Sequence, residues 1–202
     1  MENKDLFAHK SKSWDFNSKR VTSAKAIAET ISQNIKLDKS MHIMDFGAGT
    51  GLLSYFLSDK VAKVTAIDNS ISMLDVFREK SSLFKSPTEI LELDLTKNVP
   101  SNLLFDGIVS SMTIHHIKNI EDILQKMYNM LPYSGFIALA DLDSEDGSFH
   151  SDNIGVFHFG FNRDELKSIA QKVGFKMIKF ETANIIKKPH KDFSIFLMSA
   201  VK

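Results

Sequence analysis

From residue 41 onward, short β-branched apolar runs alternate with stretches whose apolar positions recur at helical spacing. A parallel sheet covered by helices imposes this pattern. Seven runs read as strands: Met41–Phe46, Ala62–Ile67, Glu89–Leu93, Phe105–Ser110, Gly135–Leu142, Phe175–Thr182 and Ser194–Val201. Helices are expected at Thr50–Ser58, Ser70–Ser82, Ile120–Leu131 and Arg163–Val173, with Ser70 as an N-cap and Gly174 as a C-cap. The polar, proline-containing link Ile186–Asp192 is too short for a parallel return, so the last two strands are expected to form an antiparallel hairpin. Ahead of the alternation, Val21–Ile35 places Ala24, Ile27, Ala28 and Ile31 on one helix face, after a polar arm that holds the single tryptophan, Trp14.

The first strand ends in Asp45-Phe46 and turns through Gly47-Ala48-Gly49-Thr50-Gly51 into a helix. Glycines in such a turn let the backbone adopt left-handed conformations and let a ligand approach the main chain, and the carboxyl ends of strands are where open α/β sheets bind ligands. A dinucleotide fingerprint requires G-x-G-x-x-G, but here Leu52 stands where its third glycine would be, which argues against NAD. Asp68 ends the second strand, where a carboxylate can accept both hydroxyls of a ribose; as a plain structural residue it would instead serve the start of the next helix. Asp94 ends the third strand and Ser110 closes the fourth, so four strand tips converge on one crevice.

Composition narrows the setting more than the chemistry. A chain of 202 residues fits one domain, and its 25 basic and 25 acidic residues cancel, leaving no global field to draw in nucleic acid or an anionic membrane. The absence of cysteine removes disulfides, thiolate nucleophiles and thiolate metal ligands. Met1–Asp5 is followed by no apolar signal region, and no stretch approaches the roughly 20 apolar residues of a membrane span, so a cytoplasmic location is expected.

The order and spacing of these motifs resemble the class I S-adenosylmethionine-dependent methyltransferases of the small, single-domain kind, over about residues 41–142 and again in the terminal hairpin. The resemblance implies an α/β fold: a Rossmann-like seven-stranded, mostly parallel sheet with helices on both faces and an antiparallel C-terminal hairpin strand. It implies an N-terminal helical arm or lid over residues 1–40 and a cofactor-binding domain over 41–202. S-adenosylmethionine would lie with Gly47, Ala48 and Gly49 at its methionine end, Asp45 and Phe46 anchoring the loop, and Asp68 on the ribose. Asn69 and Met73 would line the adenosine, Asp94 and Leu95 would flank adenine, and Ser110 would meet the methionine portion. Asp45 also suits a cationic sulfonium by Coulomb attraction.

Methyl transfer from a sulfonium is an in-line displacement, so alignment and exclusion of water supply much of the rate and a base is optional. His115 and His116 follow the fourth strand as candidate general bases, with packing beneath the cofactor as the competing role. His150 and His158 lie after the fifth strand where a substrate wall is expected, and Phe157, Phe159 and Phe161 around His158 suggest an apolar pocket. Trp14 is a candidate for closing over the sulfonium by cation–π contact. The histidines with Asp141 and Asp143 match no metal-ligand spacing, so no metal is expected. The function expected is methylation of a small molecule, without nucleic-acid or membrane partners. Protein or RNA methylation is the alternative, and a non-catalytic S-adenosylmethionine-binding protein a third reading.

Overall fold

The computed structural model describes residue 5, residues 7–97, residue 100 and residues 102–202. The first four residues of the expected arm, and Leu6, lie outside that set. Seven strands form one sheet: β1 His42–Phe46, β2 Lys63–Asp68, β3 Thr88–Glu92, β4 Gly107–Ser111, β5 Phe136–Leu142, β6 Lys176–Lys187 and β7 Asp192–Val201. Their order is β3-β2-β1-β4-β5-β7-β6, parallel through β5, with β7 antiparallel to both β5 and β6. The order in which strands are added reverses between β1 and β4, the switch point at which an open sheet leaves a crevice.

Helices α1 Ser18–Asn34, α2 Leu52–Leu57, α3 Ile71–Lys80, α4 Ile120–Asn129 and α5 Arg163–Val173 complete the layers. Strand parity decides which face each helix covers. Ile43, Val64 and Val109 point to the face where Ile27, Ala28 and Ile31 of α1 meet Leu53 and Leu57 of α2. Met44, Ile67 and Ile108 point to the other, against α4 and α5. Helix α1 is therefore buried within the layers of the domain, and only the segment ahead of it stands outside them.

Local chemistry sets the ends of these elements. Ser70 caps α3 by accepting from the Met73 N–H, and Asn119 and Asn162 do the same for α4 and α5. Gly174 ends α5 in the left-handed conformation. α2 begins two residues later than expected because Gly51, with φ +83°, is not yet helical. The hairpin strands run further than expected, to Lys187 and from Asp192, leaving a four-residue turn that is closed by Lys188 N–H donating to the Lys191 carbonyl. Among the described residues no helix is long and apolar enough to cross a membrane.

Candidate functional site

The glycine loop crosses the carboxyl ends of β1 and β2 and spends its own donors there. The N–H groups of Gly47 and Ala48 both reach the Ile67 carbonyl, at 2.8 and 3.2 Å, and Gly49 N–H donates to Asp68 Oδ2 at 2.8 Å. A pyrophosphate would require those donors free. The two glycines at the heart of the turn answer to different demands. Gly47 has φ +67°, and a Cβ there would lie 2.2 Å from Thr113, whose hydroxyl donates to the Gly47 carbonyl. Gly49 has φ +54°, yet a Cβ there would meet nothing within 4 Å. The space beside Gly49 is thus open for a ligand to lie against the backbone.

Two buried carboxylates flank this loop. Asp45 accepts from Ser54 Oγ at 2.6 Å, which ties β1 to α2. Burial pushes its pKa up to about 7; the Ser54 hydrogen bonds oppose the rise and the nearby Asp68 charge adds to it. Asp68 accepts from Gly49 and Ser70 N–H, and burial outweighs those bonds, so its pKa is also raised. The Asp68 carboxylate therefore already shapes the loop by holding the Gly49 N–H.

The remaining residues expected at this end divide. Asn69 is exposed and Met73 is buried on α3. Asp94 turns Oδ1 onto the N–H and hydroxyl of Thr96, and Lys97 approaches its other oxygen at 3.2 Å. Burial raises its pKa, but these bonds together outweigh burial and lower it. Leu95 is in the apolar core beside Ile67, and Phe46 joins the same cluster. Ser110 needs correcting: its hydroxyl is buried and donates to the Phe46 carbonyl at 2.7 Å, so it pins β4 to β1 instead of meeting a ligand. Ser111 and Met112, one and two residues on, are the partly exposed strand tip, with Met112 at φ +57°.

The segment ahead of α1 closes across this crevice. Asp5 accepts from the hydroxyls of Ser70 and Ser72 and from Ser72 N–H at the start of α3. Asp15 accepts from Thr50 of the glycine loop at 2.6 Å and from the Lys80 ammonium. Between these two points Phe7 lies edge-on to His116, with ring centroids 5.6 Å apart. Trp14 belongs to the same segment, edge-on to Phe7 with ring centroids 6.1 Å apart. The Arg20 guanidinium sits 3.7 Å from its ring centroid and already supplies the cation over one indole face.

At the opposite end a short 3-10 turn, Ile114–His116, carries the paired histidines. His115 is buried. Its Nδ1 lies 2.7 Å from Asp141 Oδ1, and its backbone N–H donates to Asp141 Oδ2. His116 places Nδ1 2.8 Å from the Gly155 carbonyl, and burial, followed by the neighbouring His115, lowers its pKa. His150 comes within 5.0 Å of the His115 ring, and burial and the two neighbouring histidines depress its pKa to about 4. The loop carrying His150 is clipped over the turn by the N–H groups of Phe157 and His158, which both donate to the His115 carbonyl. Asp143 anchors its start through a forked ion pair with Arg163, both contacts at 2.7 Å.

His158 does not join this cluster. Its Nε2 donates to the Ile117 carbonyl at 2.9 Å, so it fastens the loop. The expected phenylalanine wall is also corrected. Phe157 and Phe159 are 55% and 46% exposed and Phe161 is in the core; the aromatic rings beside the histidines are Phe149 and Phe7 instead. Asp141, Phe7, Asp5 and Asp15 were missed as site residues. A charged residue inside the wholly apolar run of β5 was the available signal for Asp141. Among the described residues no three His, Asp or Glu side chains are arranged to hold a metal ion.

Comparison with known proteins adds the family. A family model described as a methyltransferase domain matches residues 19–179. An uncharacterised methyltransferase of Schizosaccharomyces pombe is 35% identical over 135 residues, which is 59% of this chain and 48% of that protein. A malonyl-[acyl-carrier protein] O-methyltransferase of Enterobacter lignolyticus is 23% identical over 118 residues, 58% of this chain and 45% of its own length. The chain spans about half the length of the curated relatives it matches. Among solved structures, Haemonchus contortus phosphoethanolamine N-methyltransferase 2 with S-adenosyl-L-methionine superposes with TM-score 0.66 at 16% identity, over 98% of this chain and 59% of that one. A Listeria monocytogenes protein described as an S-adenosylmethionine-dependent methyltransferase does so with TM-score 0.67 at 18% identity, over 89% and 99%. At such identities these two structures speak for the fold.

Proposed function

We propose that this chain, which belongs to the S-adenosylmethionine-dependent methyltransferase family, methylates a small-molecule acceptor in a cytoplasmic setting, without nucleic acid or membrane as partner. The observation that carries the cofactor half of this reading is the open space beside Gly49, bounded by the enclosed carboxylates Asp45 and Asp68. The donor set fits the cofactor. Loop N–H groups are already committed to Ile67 and Asp68, which disfavours a phosphate, whereas two carboxylates favour a ligand that brings ammonium, sulfonium and hydroxyl groups.

Bound there, S-adenosylmethionine supplies a methyl group on a cationic sulfur. Asp68 accepts the ribose hydroxyls, Asp45 attracts the cationic end from beneath the loop, and Gly47, Ala48 and Gly49 shape the floor. Asn69, ahead of α3, and Met73 on it would line the adenosine, and Asp94 and Leu95 would flank the base, with the Asp94 carboxylate taking the amino group. The segment clasped by Asp5 and Asp15 covers the crevice and excludes water, which in-line displacement rewards. A small acceptor is supported by the neutral overall charge and by a substrate wall made of the single loop between β5 and α5.

Calorimetry with S-adenosylmethionine and with NAD tests the cofactor, and only the first is expected to bind. A metabolite panel run beside RNA and protein fractions, read as S-adenosylhomocysteine release, tests the acceptor. Release with protein or RNA alone would overturn the small-molecule reading.

A further inference from the structure

Among the described residues, five buried side-chain polar atoms have no hydrogen-bond partner, and three of them lie at the acceptor end: His115 Nε2, His150 Nε2 and Glu145 Oε1. Natural structures rarely leave such atoms bare, because each gives up a hydrogen bond to water without replacing it. Ser23 and Ser86, the other two, lie far along the chain from this loop.

The protonation of His115 follows from its partners. The Asp141 carboxylate is fully buried and takes three donors: His115 N–H, Leu142 N–H at 2.8 Å and the His115 ring at 2.7 Å. A carboxylate with two backbone donors on it is an acceptor, so Nδ1 of His115 carries a proton, and in the neutral ring the lone pair is on Nε2. By the same logic the Gly155 carbonyl fixes the His116 proton on Nδ1. The His115 ring packs against two other imidazoles, His116 at 4.1 Å and His150 at 5.0 Å between centroids, and those two are 6.1 Å from each other. The turn that carries it is joined to the glycine loop by Thr113. Burial and neighbouring imidazoles keep His150 neutral, with a pKa near 4, so it too offers a bare ring nitrogen at physiological pH.

We infer that His115 is the proton acceptor of the reaction, with Asp141 as its positioning residue, and that the methyl acceptor arrives carrying an O–H or N–H that His115 Nε2 and His150 grip. This deepens the methyltransferase reading and rests on it. A lone pair on His115 Nε2 pairs with a group that brings a proton and repels one that brings only lone pairs, so a hydroxyl or protonated amine is selected over a carboxylate. In the step, the O–H bond of a hydroxyl, or an N–H bond of a protonated amine, breaks and its proton passes to His115 Nε2. The electron pair left on that atom forms the new bond to the methyl carbon, and the carbon–sulfur pair stays on sulfur, giving S-adenosylhomocysteine.

Nitrogen-15 NMR of histidine-labelled protein reads each ring nitrogen without any acceptor present. Wild type is expected to show a protonated Nδ1 and bare Nε2 at His115. Asp141→Asn is expected to move the proton to Nε2, and the exposed His190 signal to stay unchanged. A proton on Nε2 of His115 in wild type, or no change in Asp141→Asn, would overturn the dyad. In the second arm the acceptor source is a small-molecule cell extract and the readout S-adenosylhomocysteine release. His115→Gln is expected to lower kcat by roughly 10²–10⁴-fold, the range for a general base, with cofactor affinity by calorimetry unchanged. A kcat within threefold of wild type would overturn the role of His115. His150→Gln, on a half-buried ring that tolerates substitution better, is expected to raise the acceptor KM at least tenfold; an unchanged KM removes His150 from the contact. A wild type inactive on every extract fraction would sink the small-molecule reading, while the NMR result still decides the dyad.

Discussion

The two ends of the crevice are built in opposite ways. The cofactor end is a run of consecutive strand tips, in which a glycine loop closes on the next strand's Asp68 and the charge comes from buried carboxylates. The acceptor end is assembled across long sequence separations, with His115 meeting Asp141, His116 meeting Gly155 and His158 meeting Ile117. Its polar groups are imidazoles, and burial lowers the pKa of His116 and His150. One end offers a cation two carboxylates, and the other offers a proton a cluster of ring nitrogens. A binding surface and a reacting surface thus differ here in the groups they present.

The sharpest way to break the contrast lies in the glycine loop. Gly47→Ala forces both a left-handed alanine and a clash with Thr113, and is expected to cost about 2–5 kcal/mol of folding stability by denaturant titration. Gly49→Ala carries only the backbone penalty of about 1–2 kcal/mol but fills the ligand space, so cofactor affinity should fall further than stability does. Equal losses of stability in the two variants would remove the distinction.

Next in size is the pH response of Asp45. Its pKa is raised when folded, so the folded state holds a proton that the unfolded chain gives up. Stability should therefore fall as pH rises from about 4 to about 7, by a few kcal/mol at most. A cation bound beside it favours the ionised form. Calorimetry near pH 6 in two buffers of different ionisation enthalpy should accordingly register proton release on cofactor binding, and Asp45→Asn should abolish it. Asp68→Ala is expected to weaken the cofactor by about 1–3 kcal/mol, the range for an unsatisfied partner. An unchanged affinity would take Asp68 out of the site. The smallest effect belongs to the loop after β5, where Phe157→Ser should change stability by less than about 0.5 kcal/mol because its ring is exposed.

The same contrast explains what could be read from the chain. The seven strands, the antiparallel hairpin and the place of the glycine loop between strand and helix were legible because each is set by neighbours close in sequence, where spacing and geometry are nearly the same information. Ser110 was misread by a single step, since strand parity sends Ser110 into the sheet and leaves Ser111 at the mouth. The acceptor end was legible only as residue types. Nothing local to His158 says that it will bond Ile117, and nothing local to Phe157 and Phe159 says that the loop turns them outward; Gly160, at φ +71°, redirects the chain there. The clasps made by Asp5 and Asp15 were invisible for the same reason, because an aspartate in a polar arm has no periodic signature.

The position of β7 gives this contrast an order in time. It is the last strand in the chain, yet it lies between β5 and β6, so Leu142 at the tip of β5 waits for Ile195 before its edge is paired. Strands β1, β2 and β3 pair in succession, each through one crossover that closes at lower entropic cost than the β5–β7 pairing. The half that recognises the methyl donor can thus condense as a nascent unit, whereas the half that holds the proton-accepting histidines is completed only when the final strand threads into place.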